Sequence, residues 1–274
     1  MITDRTPNFC FITPIPLLEQ FASQSKKHLC LAHLVAKSPD VYGAFYQKMR
    51  DRGDYVIMDN SAFELGESYK PYDLLDLGKK CGANAIVLPD YPGQDWHKTV
   101  DAAFNWNRIF KDAGFDTFFV PQSEKGDLEG WISAYEFASN NSNIDIIGMS
   151  ILGIPNALPH IPKAYSRVVM TQILQTQHKF AFNKAHHYLG LNSGPNIEIP
   201  PLLAMKALWS IDSSGPVWQA VLGQRYSPDY ESFQATKKIH VPVDFNYNTY
   251  DNDTLARIQH NMDMTLELFN DYKP

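Results

Sequence analysis

Cysteine is scarce in this sequence, and long apolar runs are missing from it. The 274 residues contain three cysteines, Cys10, Cys30 and Cys81, and no two of them form a CxxC pair. Such spacing speaks against a disulfide framework and a cysteine-ligated zinc site, and it suits a reducing cytoplasm. No segment approaches the ~20 apolar residues that span a bilayer, and the amino terminus shows no basic region followed by an apolar stretch. We therefore expect a cytoplasmic protein with no membrane partner.

Positive charge is also in short supply. The chain has 24 Lys and Arg against 30 Asp and Glu, which gives a formal net charge of -6. This balance excludes a globally basic nucleic-acid-binding protein, so contact with phosphates would need a local basic face. The candidates for that face, each with a solvated surface role as the alternative, are Lys179, Lys184, Arg225, Lys237 and Lys238.

Apolar runs of strand length recur at eight places along the chain. They span residues 9–13, 29–35, 55–59, 85–89, 117–121, 145–150, 187–191 and 209–212. Several are continuous rather than alternating, which is typical of parallel strands covered on both faces. Helical patterns at residues 72–81, 96–113, 128–138 and 202–208 lie between them. This alternation predicts a single (β/α)8 TIM-like barrel, with a doubly wound open sheet as the alternative; no GxGxxG follows the first strand.

The last part of the chain extends this pattern. Residues 237–248 predict an added strand near the mouth of the barrel, and residues 255–269 predict a helix that packs on the core. We therefore interpret residues 1–274 as one domain, with the strands and the site in residues 9–219 and a strand and helix extension in residues 237–270.

Polar residues stand directly after several predicted strands. Asp59, Asp90 and Asp212 each follow an apolar run, and Gln122 follows another. The carboxyl ends of the strands of a βα barrel form one mouth, where the active site lies. Asp is also a good helix cap, but glutamine is a poor one, so capping alone does not explain the set. These residues predict a site at the mouth.

Crowded carboxylates favour a particular chemistry. Because they cannot all be ionised at little cost, their pKa values should differ. One carboxylate then stays charged as a nucleophile, and a neighbouring carboxyl carries a proton. Such a pair cleaves bonds at an anomeric carbon. Gln122 and the backbone around Gly148 offer amide groups to the edge of a heterocycle, and Phe63 and Leu189 offer flat walls. The residues thus indicate glycosyl chemistry, with a heterocycle as a possible leaving group.

The same positions resemble motifs of the tRNA-guanine transglycosylase (queuine tRNA-ribosyltransferase) family, which exchanges guanine for a 7-deazaguanine base at a nucleoside. The DNSAF of residues 59–63 resembles the DSGGF or DSGGY around the family's general acid/base. Asp90 resembles its base-recognising aspartate, and Gln122 resembles the glutamine of its VQGG motif.

Three further motifs follow in the family's order. Residues 147–153 resemble its IGGLAVGE stretch, residues 186–192 resemble HYLMGVG, and Asp212 resembles the nucleophilic aspartate of FDCVLPTR. The resemblance implies that Asp212 is the nucleophile, that Asp59 is the general acid/base and that no cofactor is needed. It also implies a set of residues that bind the purine or 7-deazaguanine base: Asp90, Gln122, Gly148, Met149, Phe63, Leu189 and Gly190.

The departures from the family pattern concern the acceptor. The CxCxxC…H zinc module is missing, the glycines after Gln122 are absent, Met149 replaces a glycine, and the arginine of PTR is absent. In this the chain resembles divergent phage-type relatives that place deazaguanines into DNA. We therefore expect no metal, a nucleic-acid partner that is DNA rather than tRNA, and a host cytoplasm if the chain is phage-encoded. A tRNA-acting enzyme, a glycoside or nucleoside hydrolase and a catalytically dead base-binding module stay open.

The adjacent histidines His186 and His187 suggest a metal site at first sight. Neighbouring residues on a strand face opposite ways, however, so the two rings are not expected to share one ion.

Overall fold

The computed structural model describes residues 2, 4–191, 193–234 and 241–270. Eight parallel strands form one sheet in the order β1-β8-β7-β6-β5-β4-β3-β2, so the first two strands of the chain close a barrel. The predicted (β/α)8 TIM-like fold is confirmed. The strands are β1 Asn8–Phe11, β2 Lys27–Leu31, β3 Tyr55–Asp59, β4 Ala85–Val87, β5 Asp116–Phe119, β6 Ile146–Ser150, β7 Ala185–Leu189 and β8 Ser210–Ser213.

Side chains rather than a backbone ladder bridge the seam between β1 and β2 in the described part of the chain. Ser25 donates from its hydroxyl to the carbonyl oxygen of Phe9 at 2.7 Å. Asn8 accepts at Oδ1 from the backbone N–H groups of Lys27 and Lys26, at 3.2 and 3.4 Å. These bonds satisfy backbone groups that a closing ladder would otherwise pair.

Helices connect the strands and cover the outside of the barrel. Three of the longer ones begin at an aspartate whose carboxylate accepts from a backbone N–H of the first turn: Asp95, Asp127 and Asp251. Such caps satisfy donors that have no partner inside the helix. The helices are α1 Ala32–Lys37, α2 Ala44–Asp51, α3 Ala62–Leu65, α4 Pro71–Lys80, α5 Trp96–Asp112, α6 Leu128–Asn140, α7 Gly153–Ala157, α8 Lys163–Thr176, α9 Pro195–Ala204, α10 Gly215–Val221 and α11 Asn252–Glu267.

Two predicted boundaries were wrong. The strand predicted at residues 29–35 is Lys27–Leu31, and the rest of that apolar run lies in α1. A short, continuously apolar run fits a buried strand and a buried helix equally well, because it shows neither the two-residue period of a strand nor the 3.6-residue period of a helix. The helix predicted at residues 202–208 is Pro195–Ala204, which contains Pro200 and Pro201. Interior prolines normally end a helix, so the sequence predicts a helix only after them.

The predicted strand in the extension was also wrong where the structure describes it. Residues 241–248 form no strand, and residues 237–240, with Lys237 and Lys238, lie outside the described residues. The segment does reach the mouth: the backbone N–H of Ile15 donates to the carbonyl of Phe245 at 2.8 Å. The indole N–H of Trp218 donates to the carbonyl of Val241 at 3.0 Å. Within the described ranges, no helix combines the length and the apolar composition that a membrane span requires.

Candidate active site

The carboxyl ends of the strands open into a cavity of about 690 Å³. Its walls combine residues from the strand ends with residues 241–243 and 245 of the extension. Seven of the nine predicted site residues line it: Asp59, Phe63, Asp90, Gln122, Leu189, Gly190 and Asp212. The structure therefore brings together side chains that are up to about 150 positions apart, because parallel strands carry their carboxyl ends to one face.

Gly148 and Met149 do not line this cavity. Gly148 is wedged inside the barrel, where an added Cβ would lie 2.6 Å from the ring of Phe118. Met149 is fully buried, and its carbonyl oxygen accepts from Nη1 of Arg167 at 3.1 Å. The close approach of Phe118 explains why this position holds a glycine. The backbone of Met149 is engaged by the protein rather than directed to the cavity.

Asp59 ends β3 with a local hydrogen bond. Its Oδ2 accepts from the backbone N–H of Ser61 at 2.8 Å, and Ser61 has a φ of 60°, a left-handed conformation that favours glycine. The hydroxyl of Ser61 contacts Nδ1 of His33 at 2.9 Å. Asp59 thus stabilises a turn between β3 and α3 through one oxygen, and no hydrogen bond within the described residues engages Oδ1.

The environment of Asp59 raises its pKa well above the ordinary value. Burial is the main cause, and the negative charge of Glu64 adds to it, with smaller contributions from Asp90 and Asp212. Ionising Asp59 is costly because the carboxylate loses water and faces other negative charges. Burial and neighbouring charge therefore favour the protonated form of Asp59. Glu64, which also lines the cavity, was not predicted from the sequence.

Asp90 is held by two side-chain amides. Nδ2 of Asn60 donates to Oδ1 at 2.8 Å, and Nε2 of Gln122 donates to Oδ2 at 2.7 Å. Burial raises the pKa of Asp90, and these two hydrogen bonds oppose that rise. The carbonyl oxygen of Gln122, Oε1, is buried without a hydrogen-bond partner among the described residues. An unpaired buried acceptor is unusual. This oxygen lies against Gly153, where an added Cβ would be 2.6 Å from it.

Asp212 is anchored through one oxygen. Its Oδ1 accepts from Nε2 of His187 at 3.0 Å and from the backbone N–H of Gly190 at 2.9 Å. The ring of His187 reaches Ser210 on its other side, where Nδ1 lies 2.6 Å from the hydroxyl oxygen. Within the described residues, both hydrogen bonds to the carboxylate end on Oδ1, so Oδ2 is the oxygen left for a ligand.

A buried ion pair fixes the strand ends around Asp212. Arg167 donates through Nε and Nη2 to the two carboxylate oxygens of Glu198, each at 2.7 Å, and both side chains are fully buried. The same guanidinium donates to the carbonyls of Leu189 and Gly190, at 2.8 and 2.7 Å. Arg167 thereby holds the turn whose N–H contacts Asp212. Sequence reasoning missed this pair because its members lie 31 positions apart on two different helices.

The histidine pair behaves as strand geometry predicted. His187 faces Asp212 inside the barrel, whereas Nε2 of His186 lies 2.8 Å from the hydroxyl of Tyr135 on the outside. No group of three or more His, Cys, Asp and Glu within the described ranges is arranged to hold a metal ion. The described lining of the cavity contains four carboxylic side chains and no Lys, Arg or His. Such a cavity stabilises positive charge that develops within it.

Comparison of the chain with models of protein families and with curated proteins found no match to either. The fold and the site therefore define the class by themselves: a (β/α)8 barrel with a carboxylate-rich cavity at the carboxyl ends of its strands.

Proposed function

We propose that this chain is a transglycosylase that exchanges guanine for a 7-deazaguanine base in nucleic acid, through a covalent aspartyl-glycosyl intermediate. The observation that carries the proposal is the contrast between two carboxyls on one cavity. Asp212 receives two N–H donors on one oxygen, whereas burial and neighbouring charge raise the pKa of Asp59. One carboxyl that attacks and one that supplies a proton are what cleavage at an anomeric carbon requires.

Asp212 is the nucleophile in this mechanism. Its Oδ2 attacks C1′ of the nucleotide, a C1′–O bond forms, and the C1′–N9 bond to guanine breaks. The electron pair of that bond leaves with the base. The carboxylates around the cavity stabilise the positive charge that spreads over the sugar during the step.

Asp59 manages the proton. The protonated carboxyl donates to the departing guanine as the C1′–N9 bond breaks, and it is left as a carboxylate. It then takes the proton from the ring nitrogen of the incoming 7-deazaguanine as that nitrogen attacks C1′. The C1′–O bond breaks, the Asp212 carboxylate is regenerated, and Asp59 ends the cycle protonated.

The wall formed by Asn60, Asp90 and Gln122 recognises the base. The carboxylate of Asp90, oriented by the two amides, accepts from an N–H of the ring edge, and a site built on such a bond rejects analogues that lack the donor. Phe63, which is 68% exposed at the rim, is placed to stack on a base. Leu189 supplies an apolar wall on the other side of the cavity.

DNA is the acceptor that we favour over tRNA. The described lining has no basic residue, so it fits a base and its sugar while the phosphates remain outside. A target base in a duplex must then be flipped out, or be presented as single strand. A deoxyribose lacks the electron-withdrawing 2′-hydroxyl, so it tolerates positive charge at C1′ more easily than a ribose does. The zinc module of the tRNA-acting family is also missing from the sequence.

An exchange assay tests the proposal. Single-stranded DNA, duplex DNA and tRNA are each incubated at low salt with the protein and isotopically labelled guanine, and the nucleosides are analysed by mass spectrometry. Label in DNA supports the proposal, and label in tRNA alone would overturn the choice of DNA. Free guanine with abasic sites and no label would identify a hydrolase, and bound guanine without any chemistry would identify a base-binding module. Asp212→Asn is the negative control.

A further inference from the structure

His187 lies inside the barrel beneath the cavity and has a hydrogen-bonding partner at each ring nitrogen. Nε2 lies 3.0 Å from Oδ1 of Asp212, and Nδ1 lies 2.6 Å from the hydroxyl of Ser210. The residue is fully buried, and the ring of Phe118 meets it edge to face with centroids 5.5 Å apart. The ring therefore occupies one orientation, fixed by apolar packing as well as by its two polar contacts.

We propose that His187 is a positioning residue for Asp212, and that Ser210 fixes the tautomer that makes this possible. The inference rests on the proposed role of Asp212 as nucleophile. An ionised carboxylate only accepts hydrogen bonds, so Nε2 of His187 carries the hydrogen. In the Nε2–H tautomer the lone pair is at Nδ1, and the hydroxyl of Ser210 donates to it.

This chain of contacts determines which oxygen of Asp212 reacts. His187 and the backbone N–H of Gly190 both donate to Oδ1, so the carboxyl group is held with Oδ2 as the attacking atom. A displacement of about 1 Å at a nucleophile costs about 100-fold in rate, because the reacting atoms must approach along one line. His187 therefore acts on the reaction through Asp212 and without touching the base.

The same contacts assist the second half of the reaction. Once Oδ2 is bonded to C1′, Oδ1 is the carbonyl oxygen of the ester and still accepts from both N–H groups. When the incoming base displaces the ester, the electron pair of the C1′–O bond returns to the carboxylate. The two donors stabilise that returning charge, so Asp212 becomes a better leaving group.

His186 provides a matched control. It is the preceding residue of β7 and is also buried, but its ring stacks on Phe180 at 4.2 Å and contacts Tyr135 on the outer face. A substitution there perturbs the packing of the same strand without reaching Asp212. Any effect that His187 variants share with His186→Gln is therefore structural.

The kinetic experiment measures single-turnover release of guanine from a labelled oligonucleotide, together with the Kd of guanine and thermal stability. We expect His187→Leu to slow release about 100-fold with the Kd of guanine unchanged. His187→Gln, whose Nε2 can donate to Oδ1, should recover much of the rate, and His186→Gln should leave the rate unchanged. Equal rates in His187→Leu and wild type, or equal losses in the Leu and Gln variants, would overturn the inference.

Nuclear magnetic resonance provides a readout that does not depend on turnover. Long-range proton–nitrogen spectra of the wild-type histidine rings should show the Nε2–H tautomer of His187. The His187 signals are assigned by their absence from the spectrum of His187→Gln. Asp212→Asn should shift its Nε2 resonance, and Ser210→Ala its Nδ1 resonance. A neutral Nδ1–H tautomer in wild type would overturn the inference even if exchange occurs. Absence of exchange with every acceptor would instead refute the proposed function and leave these spectra to decide the positioning.

Discussion

Gln122 donates to Asp90 at 2.7 Å through one end of its side-chain amide, while the other end, Oε1, has no hydrogen-bond partner among the described residues. The direction of this one bond sets the hydrogen-bonding character of the cavity wall. Because Asp90 only accepts while ionised, Gln122 must direct its NH₂ group to it and its carbonyl oxygen away from it. The Asp90 carboxylate is thus the acceptor of this wall, and Oε1 of Gln122 is turned towards Gly153.

Asp90→Asn should reverse that character. The introduced amide places an NH₂ group against Asn60 or Gln122, and a rotation of the Gln122 amide relieves the conflict. The side chain at position 90 would then present a donor group to the base edge, where the wild-type carboxylate presents only acceptors. We expect the affinity for guanine to fall by about 1–3 kcal/mol, and purines with a ring acceptor at that edge to gain relative to guanine. Calorimetric titration with guanine and with adenine measures the shift.

Asp116→Asn is the control for this prediction. Asp116 begins β5 at the opposite end of the barrel, where it accepts from the hydroxyl of Tyr55 at 2.8 Å. Its substitution changes the charge by the same amount without touching the cavity. An unchanged ratio of guanine to adenine affinity in Asp90→Asn would contradict the role of the Asp90 carboxylate as the acceptor for the base.

Asp59 gives a prediction about stability and pH. Its pKa is raised in the folded protein by burial and by Glu64. The raised pKa therefore contributes fully to the stability of the folded protein below the pKa that the carboxyl has in the unfolded chain. This contribution is lost as the pH rises through the pKa of the folded state. Asp59→Asn removes the ionisation, so the variant should be more stable than wild type at about pH 8, by a margin that shrinks towards about pH 4. Thermal denaturation of both proteins across this range measures the margin, and a margin independent of pH would contradict the raised pKa.

Breaking the buried ion pair of Arg167 and Glu198 should lower the free energy of unfolding more than breaking a partly exposed pair. Arg167→Met leaves the Glu198 carboxylate buried without a counter-charge and three carbonyl oxygens without their donor, so we expect a loss of about 3–5 kcal/mol in urea denaturation. Glu198→Gln should cost less, because the guanidinium keeps its carbonyl partners. The partly exposed pair of Lys179 and Glu136 is the control. The Lys179→Met variant should lose less than about 1 kcal/mol of the free energy of unfolding. A loss in Arg167→Met no larger than that in Lys179→Met would refute the prediction.

The sequence predicted the barrel and its mouth better than the contacts beneath them. Asp59, Asp90 and Gln122 were found because strand ends are visible as the end of an apolar run, and parallel topology brings those ends together. Arg167 and Glu198 carry no such local signal, since each reads as an ordinary helix residue. Their burial follows only from the packing of two helices, which the order of residues in one chain does not display.

The contacts that close the barrel also leave no signal in the sequence. Their contribution can be tested at Asn8. Its side chain accepts from the backbone N–H of Lys27, a bond across the seam that no sequence pattern marks. Asn8→Leu should cost about 1–3 kcal/mol, because it leaves a partly buried donor unsatisfied. Hydrogen exchange at the Lys27 amide should accelerate. Asn8→Asp keeps the acceptor and serves as the control; equal exchange rates in the two variants would show that the seam does not depend on this bond.

The last prediction separates the two carboxyls of the proposed mechanism. Asp212→Asn should retain the fold and the binding of guanine but abolish exchange, because an amide is a poor nucleophile at an anomeric carbon. Asp59→Asn should also lose exchange, but for a different reason. Asp212 can still attack, but departure of the base is slowed because no proton is supplied.

A substrate whose leaving group needs no proton distinguishes the two variants. A nucleotide with a nitrophenyl leaving group at C1′ should restore formation of the glycosyl-enzyme in Asp59→Asn and not in Asp212→Asn. Mass spectrometry of the intact proteins after acid quench measures the adduct. An adduct on Asp212→Asn would remove Asp212 as the nucleophile, and its absence from Asp59→Asn with this substrate would show that Asp59 does more than donate a proton.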